Sequence, residues 1–222
     1  MNDIEGVTED VSLKKAWHMM RDRGDVTLPV VDQGKLTGII TIGDIANAYM
    51  DVYDNCILST AKTSYKNILE TLDAKMIVGS EDGFFESGEV VIATANPDVL
   101  EDYIHPGDMV ILGNRYETQL CAIEMGAACV VISMGAKVSK TIQHFAKEHN
   151  CIVINTPYDS FTVARLINQS IPVRYIMKTD NLVTFNTEDF TDDIQNEMIK
   201  HRHRAFPVIN KKGKCCLLYT SP

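Results

Sequence analysis

The side chains best suited to chemistry form one basic run, Lys200-His201-Arg202-His203-Arg204, near the end of the 222-residue chain. Arginine offers a planar fork that matches phosphate oxygens, so this run suits a small phosphorylated ligand. A nucleic-acid partner is not expected. The chain carries a formal charge of -9, and this run is its only local basic stripe, which is too little to neutralise the phosphates of a duplex.

Motifs of catalytic or metal chemistry are missing from the sequence, which contains no H-E-x-x-H, no P-loop lysine motif and no G-x-S-x-G. His144 and His149 lie five apart and so face different sides of a helix, and His201-x-His203 has no companion ligand at the right spacing. The six cysteines form no C-x-x-C pair, so we expect reduced thiols rather than disulfides or a zinc site.

The two ends of the chain are versions of one segment. Thr8-Glu9-Asp10 and Pro29-Val30-Val31-Asp32 near the start correspond to Thr187-Glu188-Asp189 and Pro207-Val208-Ile209-Asn210 near the end. A repeated half-site is a common way to build a cleft between two copies. We therefore expect the function to depend on what lies between them.

The first copy predicts the order helix, strand, strand, helix. Ser12 is a suitable N-cap for a helix whose apolar residues, Trp17 among them, are expected in the core. Two β-rich runs then flank the tight turn Asp32-Gln33-Gly34-Lys35, which is a hairpin signal. The step Thr41-Ile42-Gly43-Asp44 opens the second helix.

The middle of the chain is expected to form a separate domain. Residues 51–65 are polar and predict a connector, loosest at residues 59–64. From there to Ser170, apolar runs alternate with amphipathic helices, which indicates a parallel α/β sheet. No run of eighteen apolar residues and no signal peptide is present, so we expect a soluble, cytoplasmic protein with no membrane partner.

The repeated unit resembles a CBS domain. In the first copy the resemblance rests on Leu28-Pro29-Val30-Val31-Asp32, on Gly34-Lys35-Leu36-x-Gly38-Ile39-Ile40-Thr41 and on Asp44-Ile45. The run Ile176-Met177-Lys178-Thr179-Asp180-Asn181-Leu182-Val183-Thr184 is similar to the first strand of another CBS domain.

The middle segment is similar to a DRTGG domain through Gly107-Asp108-Met109-Val110-Ile111-Leu112-Gly113-Asn114-Arg115 and Ser133-Met134-Gly135. Of the residues that name this domain only Arg115 and Gly135 keep their identity, while Asn114 and Ser133 stand at changed positions. We expect Arg115 and Gly135 to shape a loop or an interface, and the four positions have no assigned ligand role.

The order of these parts resembles the regulatory region of CBS-containing family II inorganic pyrophosphatases of clostridia-like bacteria. The implied fold class is α/β and α+β, with two CBS modules in a Bateman-type pair and an inserted α/β DRTGG domain. The implied boundaries are 1–58 for the first CBS domain, 65–170 for the DRTGG domain and 171–222 for the second CBS domain. Both terminal domains are expected to be clipped parts of a longer protein, because the first lacks the equivalent of residues 176–179 and the second stops before an equivalent of Asp44.

The resemblance also implies where catalysis takes place. Family II pyrophosphatases hold manganese in a catalytic module with an Asp-His-His motif, and this sequence contains no such motif. Hydrolysis of a phosphoanhydride by two metals needs clustered carboxylates and histidines. We therefore expect a chain without enzyme activity or metal, whose partner is the absent pyrophosphatase domain.

The resemblance implies that the chain binds adenine nucleotides as regulatory ligands: AMP, ADP, ATP or a diadenosine polyphosphate. The Ser/Thr-x-x-Asp step of a CBS site contacts the ribose, and here it is Thr41 with Asp44. The second copy is expected to supply the phosphate contacts. The expected phosphate contacts are Lys178, Thr179, Arg202 and Arg204, and the expected adenine contacts are Leu28, Pro29, Phe206 and Pro207.

Two other functions fit the same residues. The chain could be a structural module that forms a homodimer and binds nothing, which a buried salt bridge at Asp44 would favour. It could also be the nucleotide sensor of a different catalytic partner. Pro29 and Pro207 are as well explained by edge-strand structure as by a ligand.

Overall fold

The structure is a computed structural model that describes residues 6–50, 54–93, 100, 102–180, 182–189 and 205–220. The chain folds into two compact units. Residues 1–51 and 173–222 form the terminal unit, and residues 52–172 form the middle unit. Among the described helices, none combines the length and the apolar content needed to cross a membrane.

The first copy of the repeat contains two helices and a hairpin. The hydroxyl of Ser12 accepts a hydrogen bond from the backbone N–H of Lys15 at 3.2 Å and caps the first helix, as predicted. Gly24 ends that helix with a φ of 72°, a left-handed conformation that glycine adopts without strain. The elements are α1 Leu13–Arg23, β1 Thr27–Asp32, β2 Lys35–Thr41 and α2 Ile42–Met50.

Helix α1 packs through a narrower stripe than the sequence pattern suggests. Leu13, Ala16 and Met20 are buried, whereas Trp17 is 40% exposed. The guanidinium of Arg21 lies 5.0 Å from the centre of the Trp17 ring. The expectation of a core tryptophan is therefore wrong, because Trp17 lies beside the buried stripe and stacks with a neighbouring cation one turn away.

Strands β1 and β2 form the predicted hairpin. The turn residues Gln33 and Gly34 have φ values of 48° and 81°, as the tight two-residue turns that match strand twist require. The strands are antiparallel, with Pro29 opposite Ile39 and a bulge at Val30/Val31.

The middle unit contains a five-stranded sheet covered by helices. Four of its strands are parallel, as predicted, in the order β9-β8-β7-β6. The edge strand β4 is antiparallel to β9 and was not predicted. The elements are α3 Ile57–Thr60, β3 Thr63–Ser64, α4 Tyr65–Leu72, β4 Lys75–Val78, β5 Phe84–Phe85, β6 Val90–Ile92, β7 Met109–Leu112, α5 Tyr116–Glu124, β8 Cys129–Ile132, α6 Lys140–Glu148, β9 Ile152–Asn155 and α7 Ser160–Leu166.

The connector predicted at residues 51–65 is structured over most of its described part. Ile57–Thr60 is helical, and Thr63–Ser64 pairs with β5. Ser59 is only 8% exposed, and its hydroxyl donates to the carbonyl oxygen of Gly88 at 2.8 Å. The prediction of a loose segment is wrong because its polar groups find partners inside the middle unit rather than in water.

The second copy repeats the hairpin of the first. Its strands are β10 Phe185–Asn186, β11 Ala205–Ile209 and β12 Cys215–Thr220. Pro207 stands opposite Leu218 as Pro29 stands opposite Ile39, and the bulge recurs at Val208/Ile209. The sequence repeat thus corresponds to two hairpins whose strands pair in equivalent registers.

Residues 173–179, called here the return segment, lead back from the middle of the chain and pack on the first copy. The N–H groups of Val173 and Arg174 donate to the carbonyls of Val11 and Glu9 at 2.8 and 3.0 Å. Further along, Ile39 and Lys178 exchange two backbone hydrogen bonds of 3.0 and 2.9 Å.

Gly38 permits this close approach. A Cβ atom at Gly38 would lie 2.9 Å from the carbonyl oxygen of Lys178 and 3.0 Å from the sulfur of Met177. Any side chain at this position would therefore push the return segment away from β2. The two hairpin turns are also joined, because the N–H of Cys215 donates to the carbonyl of Gly34 at 3.2 Å.

A matched pair of substitutions tests the role of Gly38. We expect Gly38→Ala to lower the free energy of unfolding by about 1–3 kcal/mol, because the added methyl collides with backbone that two hydrogen bonds fix. Gly43→Ala serves as the control, since the nearest atom to its Cβ would be the Thr41 hydroxyl at 3.5 Å and the position lies in α2. Urea unfolding of both variants should show a loss for Gly38→Ala and no loss for Gly43→Ala; equal effects would contradict the steric argument.

Candidate functional site

Thr41 and Asp44 lie where strand β2 ends and helix α2 begins. The N–H of Asp44 donates to the Thr41 hydroxyl at 3.1 Å, and the N–H of Thr41 donates to Oδ2 of Asp44 at 2.9 Å. This reciprocal pair is a capping box, which satisfies backbone donors at the start of a helix. The hydroxyl and carboxylate are therefore held together by the local sequence alone.

Lys178 completes the group. Its ammonium lies 3.0 Å from Oδ1 of Asp44, while the Thr41 hydroxyl donates to Oδ2 at 2.7 Å. Lys178 reaches this position because the return segment pairs with Ile39, two residues before Thr41. The structure thus brings together three residues that the sequence analysis assigned to different halves of one site.

The electrostatics of the group follow from these contacts. Burial alone would raise the pKa of Asp44, but the hydrogen bonds from Thr41 and the ammonium of Lys178 outweigh it and hold the pKa below its ordinary value of 3.8. The carboxyl group is therefore ionised at neutral pH. The side chain of Asp44 is 10% exposed and that of Lys178 is 57% exposed.

The group of Thr41, Asp44 and Lys178 has the chemistry to bind hydroxyl groups and an anion side by side. An ionised carboxylate accepts hydrogen bonds from hydroxyl groups, and an adjacent ammonium attracts an anion. A molecule that carries a diol next to a phosphate would satisfy both. The ion pair is also the contact expected of a structural module, so the geometry alone is compatible with both functions.

The remaining residues predicted to contact phosphate are placed only in part. Thr179 is exposed next to Lys178 in the return segment. Arg202 and Arg204 lie outside the residues that the structure describes. Their roles stay predictions.

The four residues predicted to contact adenine are buried within strands. Leu28 and Phe206 are each 1% exposed, and Pro29 and Pro207 are also buried. The Phe206 ring lies 5.2 Å from the ring of Phe185, in a small cluster of apolar side chains. Packing accounts for the burial of these residues, and their contact with adenine stays a prediction.

Four further positions singled out in the middle unit lie close to the carboxyl ends of the adjacent parallel strands β7 and β8. The hydroxyl of Ser133 is buried, donates to the carbonyl of Leu112 at 3.0 Å and lies 3.0 Å from the hydroxyl of Ser160. Gly135 has a φ of 62°, which fits a turn. The four positions are Asn114, Arg115, Ser133 and Gly135.

Sequence reasoning missed the contact between Asp44 and Lys178. The two residues are far apart along the chain, and neither local pattern indicates that they meet. The available signal was Gly38, since a glycine in the middle of a strand often marks a close approach of another backbone. All six cysteines lie among the described residues, and none of them forms a disulfide.

Comparison with known families divides the chain as the fold does. The CBS domain family matches residues 1–51 and 173–218, and the DRTGG domain family matches residues 67–170. The chain is 39% identical over 215 residues to a cobalt-dependent inorganic pyrophosphatase of Clostridium perfringens. It is 29% identical over 214 residues to a probable manganese-dependent inorganic pyrophosphatase of Thermotoga maritima. Each match covers 96% of this chain but only 39% of the relative.

A solved structure with 38% sequence identity is similar along the whole chain. It is the crystal structure of the CBS and DRTGG domains of the regulatory region of Clostridium perfringens pyrophosphatase, complexed with the activator diadenosine tetraphosphate. The sequences are 38% identical and the TM-score is 0.93. The alignment covers 100% of this chain and 96% of the other.

The pH dependence of stability tests the state of Asp44. A carboxyl group whose pKa is lower in the folded than in the unfolded state stabilises the fold above the unfolded pKa and loses this contribution as the pH falls through the folded pKa. We expect the stability difference between the wild type and Asp44→Asn to be constant from about pH 7 to pH 5 and to shrink below the ordinary pKa of 3.8. Urea unfolding across this range measures it, with the exposed Asp102→Asn as the control. A difference that grows as the pH falls would contradict the assignment.

Proposed function

The chain belongs to the family of regulatory regions in which a DRTGG domain is inserted between two CBS modules, and from this we propose that it binds adenine nucleotides to control a metal-dependent inorganic pyrophosphatase. The predicted fold class, a CBS pair with an inserted α/β DRTGG domain, is confirmed. The chain corresponds to the regulatory region and not to the catalytic domain of its relatives.

The observation that carries the proposal is the group formed by Thr41, Asp44 and Lys178. It places an ionised carboxylate with a hydroxyl on one side and an ammonium on the other. In a chain whose formal charge is -9, a phosphorylated ligand needs such a local cation. A relative that is 38% identical was crystallised with diadenosine tetraphosphate, which carries both ribose and phosphate.

Each residue of the group has a distinct role in the proposal. The carboxylate of Asp44 accepts from the ribose hydroxyls, and Thr41 holds the carboxylate in place. Lys178 and Thr179 contact the phosphate, together with Arg202 and Arg204. The adenine packs against the apolar residues of the two hairpins, Leu28, Pro29, Phe206 and Pro207.

The partners of the chain follow from its relatives. The catalytic region outside this chain hydrolyses pyrophosphate to two phosphates with a transition metal. The names of the two relatives give cobalt for one and manganese for the other, and we propose manganese here, as in family II pyrophosphatases. The protein acts in the cytoplasm as a homodimer, with AMP, ADP, ATP or a diadenosine polyphosphate as ligand and without a nucleic-acid partner.

Calorimetry tests nucleotide binding. We expect the chain to bind AMP, and AMP at 100 times its dissociation constant should stabilise the fold by about 2.7 kcal/mol. A purely structural module would show neither heat nor a shift of melting temperature at millimolar AMP, and that result would overturn the proposal.

Two substitutions test separately the proposed ribose contact of Asp44 and the proposed phosphate contact of Arg204. Asp44→Asn should weaken adenosine and AMP alike, by about tenfold or more, because hydrogen bonds to an ionised group are lost. Arg204→Ala should weaken AMP by a similar factor but leave adenosine almost unchanged, and the exposed Arg165→Ala should change neither. Equal losses of both ligands from both site variants would contradict the division of roles.

A longer ligand tests the dimer. If control acts through a pair of subunits, a ligand shifts their balance only by its differential affinity for the two states. A diadenosine polyphosphate that bridges two sites should bind more tightly than AMP, because its second adenosine binds at a high effective concentration. Sedimentation and calorimetry with both ligands measure this. A chain that stays monomeric in every condition, or a bridging ligand no tighter than AMP, would leave the dimer without support.

A further inference from the structure

The two oxygens of the Asp44 carboxylate have different partners. Oδ2 accepts both the N–H and the hydroxyl of Thr41, at 2.9 and 2.7 Å. Oδ1 faces the ammonium of Lys178 at 3.0 Å. The bonds to Oδ2 belong to the cap of helix α2, so Oδ1 is the oxygen at which an incoming ligand can exchange partners.

Such an exchange has a cost. A ribose that donates to Oδ1 competes with the ammonium for the same lone pairs, and the carboxylate side chain is only 10% exposed. Separating an ion pair whose acid is largely withdrawn from water leaves charge that the new contacts must compensate. Hydroxyl groups are neutral donors and compensate it only in part.

Lys178 is able to take part in the exchange without disturbing the fold. Its backbone is fixed by two hydrogen bonds to Ile39. Its side chain, in contrast, is 57% exposed and carries the ammonium on a flexible four-carbon chain. The ammonium can therefore turn from the carboxylate to another anion while the return segment stays in place.

We propose that Lys178 determines specificity in the first copy by exchanging its ionic partner, from the carboxylate of Asp44 to the phosphate of the ligand. This inference rests on the proposed nucleotide site and adds a selection rule to it. The phosphate of a nucleotide binds the ammonium of Lys178, so the cost of opening the ion pair is offset. A nucleoside opens the same ion pair but has no phosphate to bind the ammonium.

The exchange differs from a simple phosphate contact in its effect on adenosine. If Lys178 only contacted phosphate, its removal would weaken AMP and leave adenosine unchanged. If Lys178 also competes with the ribose for Asp44, its removal weakens AMP and strengthens adenosine. Opposite changes in the affinities for AMP and adenosine therefore distinguish the exchange from a simple phosphate contact.

The test is calorimetry of AMP and adenosine with the wild-type chain, Lys178→Met and Lys178→Arg. We expect Lys178→Met to bind AMP about tenfold more weakly, the loss expected for one charge-assisted hydrogen bond. It should bind adenosine about three- to fivefold more tightly, the effect of removing a partly exposed ion pair. Lys178→Arg should keep the preference for AMP. The control is Lys212→Met, which removes the same charge from an exposed lysine of the other hairpin turn and should change neither affinity.

The outcomes separate the inference from the function on which it rests. Binding of AMP by the wild type with adenosine unchanged or weakened in Lys178→Met overturns the exchange and leaves the nucleotide site intact. Binding of neither ligand by the wild type overturns the nucleotide site itself. The melting temperature of Lys178→Met without ligand, close to that of the wild type, shows that the variant is folded.

Discussion

The candidate site depends on two backbone hydrogen bonds between Ile39 and Lys178. They attach the return segment to the first hairpin and bring a lysine from late in the chain to a carboxylate near its start. Gly38 makes the contact possible by having no Cβ. The main chain of Lys178 is held by these bonds, whereas its side chain is 57% exposed and meets Asp44 through charge.

The two copies of the repeat share a hairpin but differ in sequence at individual positions. Both hairpins are antiparallel, carry a bulge at the equivalent position and have a proline in the first strand, so these shared features set the folding pattern even though the connecting turns differ in length. One difference lies where the first copy contacts the return segment. The sequence has glycine at position 38 and leucine at position 217, opposite equivalent residues of the two hairpins. The shared hairpin register therefore does not require this glycine, which serves the contact with the return segment.

The sequence predicts the local elements well because they follow from short-range physics. The cap at Ser12, the tight turn at Gly34 and the alternation of strands and helices in the middle unit depend on neighbouring residues. It fails where distant residues decide the outcome. The local sequence around Ser59 is typical of a loop, but its hydroxyl donates to the carbonyl of the distant Gly88. The pattern around Trp17 is typical of core, but the ring lies beside the buried stripe of α1. The ion pair of Asp44 and Lys178 is likewise decided by residues that are distant in the sequence.

The unequal exposure of Asp44 and Lys178 limits what their ion pair contributes to stability. An ion pair with one largely exposed partner contributes little to stability, about 0–1 kcal/mol, because water screens it and the long side chain loses freedom. The capping box at Thr41 already stabilises the helix start without Lys178. Stability therefore gives little reason to place a lysine there. In the proposed binding role, a ligand replaces one partner of the pair and satisfies the other, which would account for a sheltered acid beside an exposed cation.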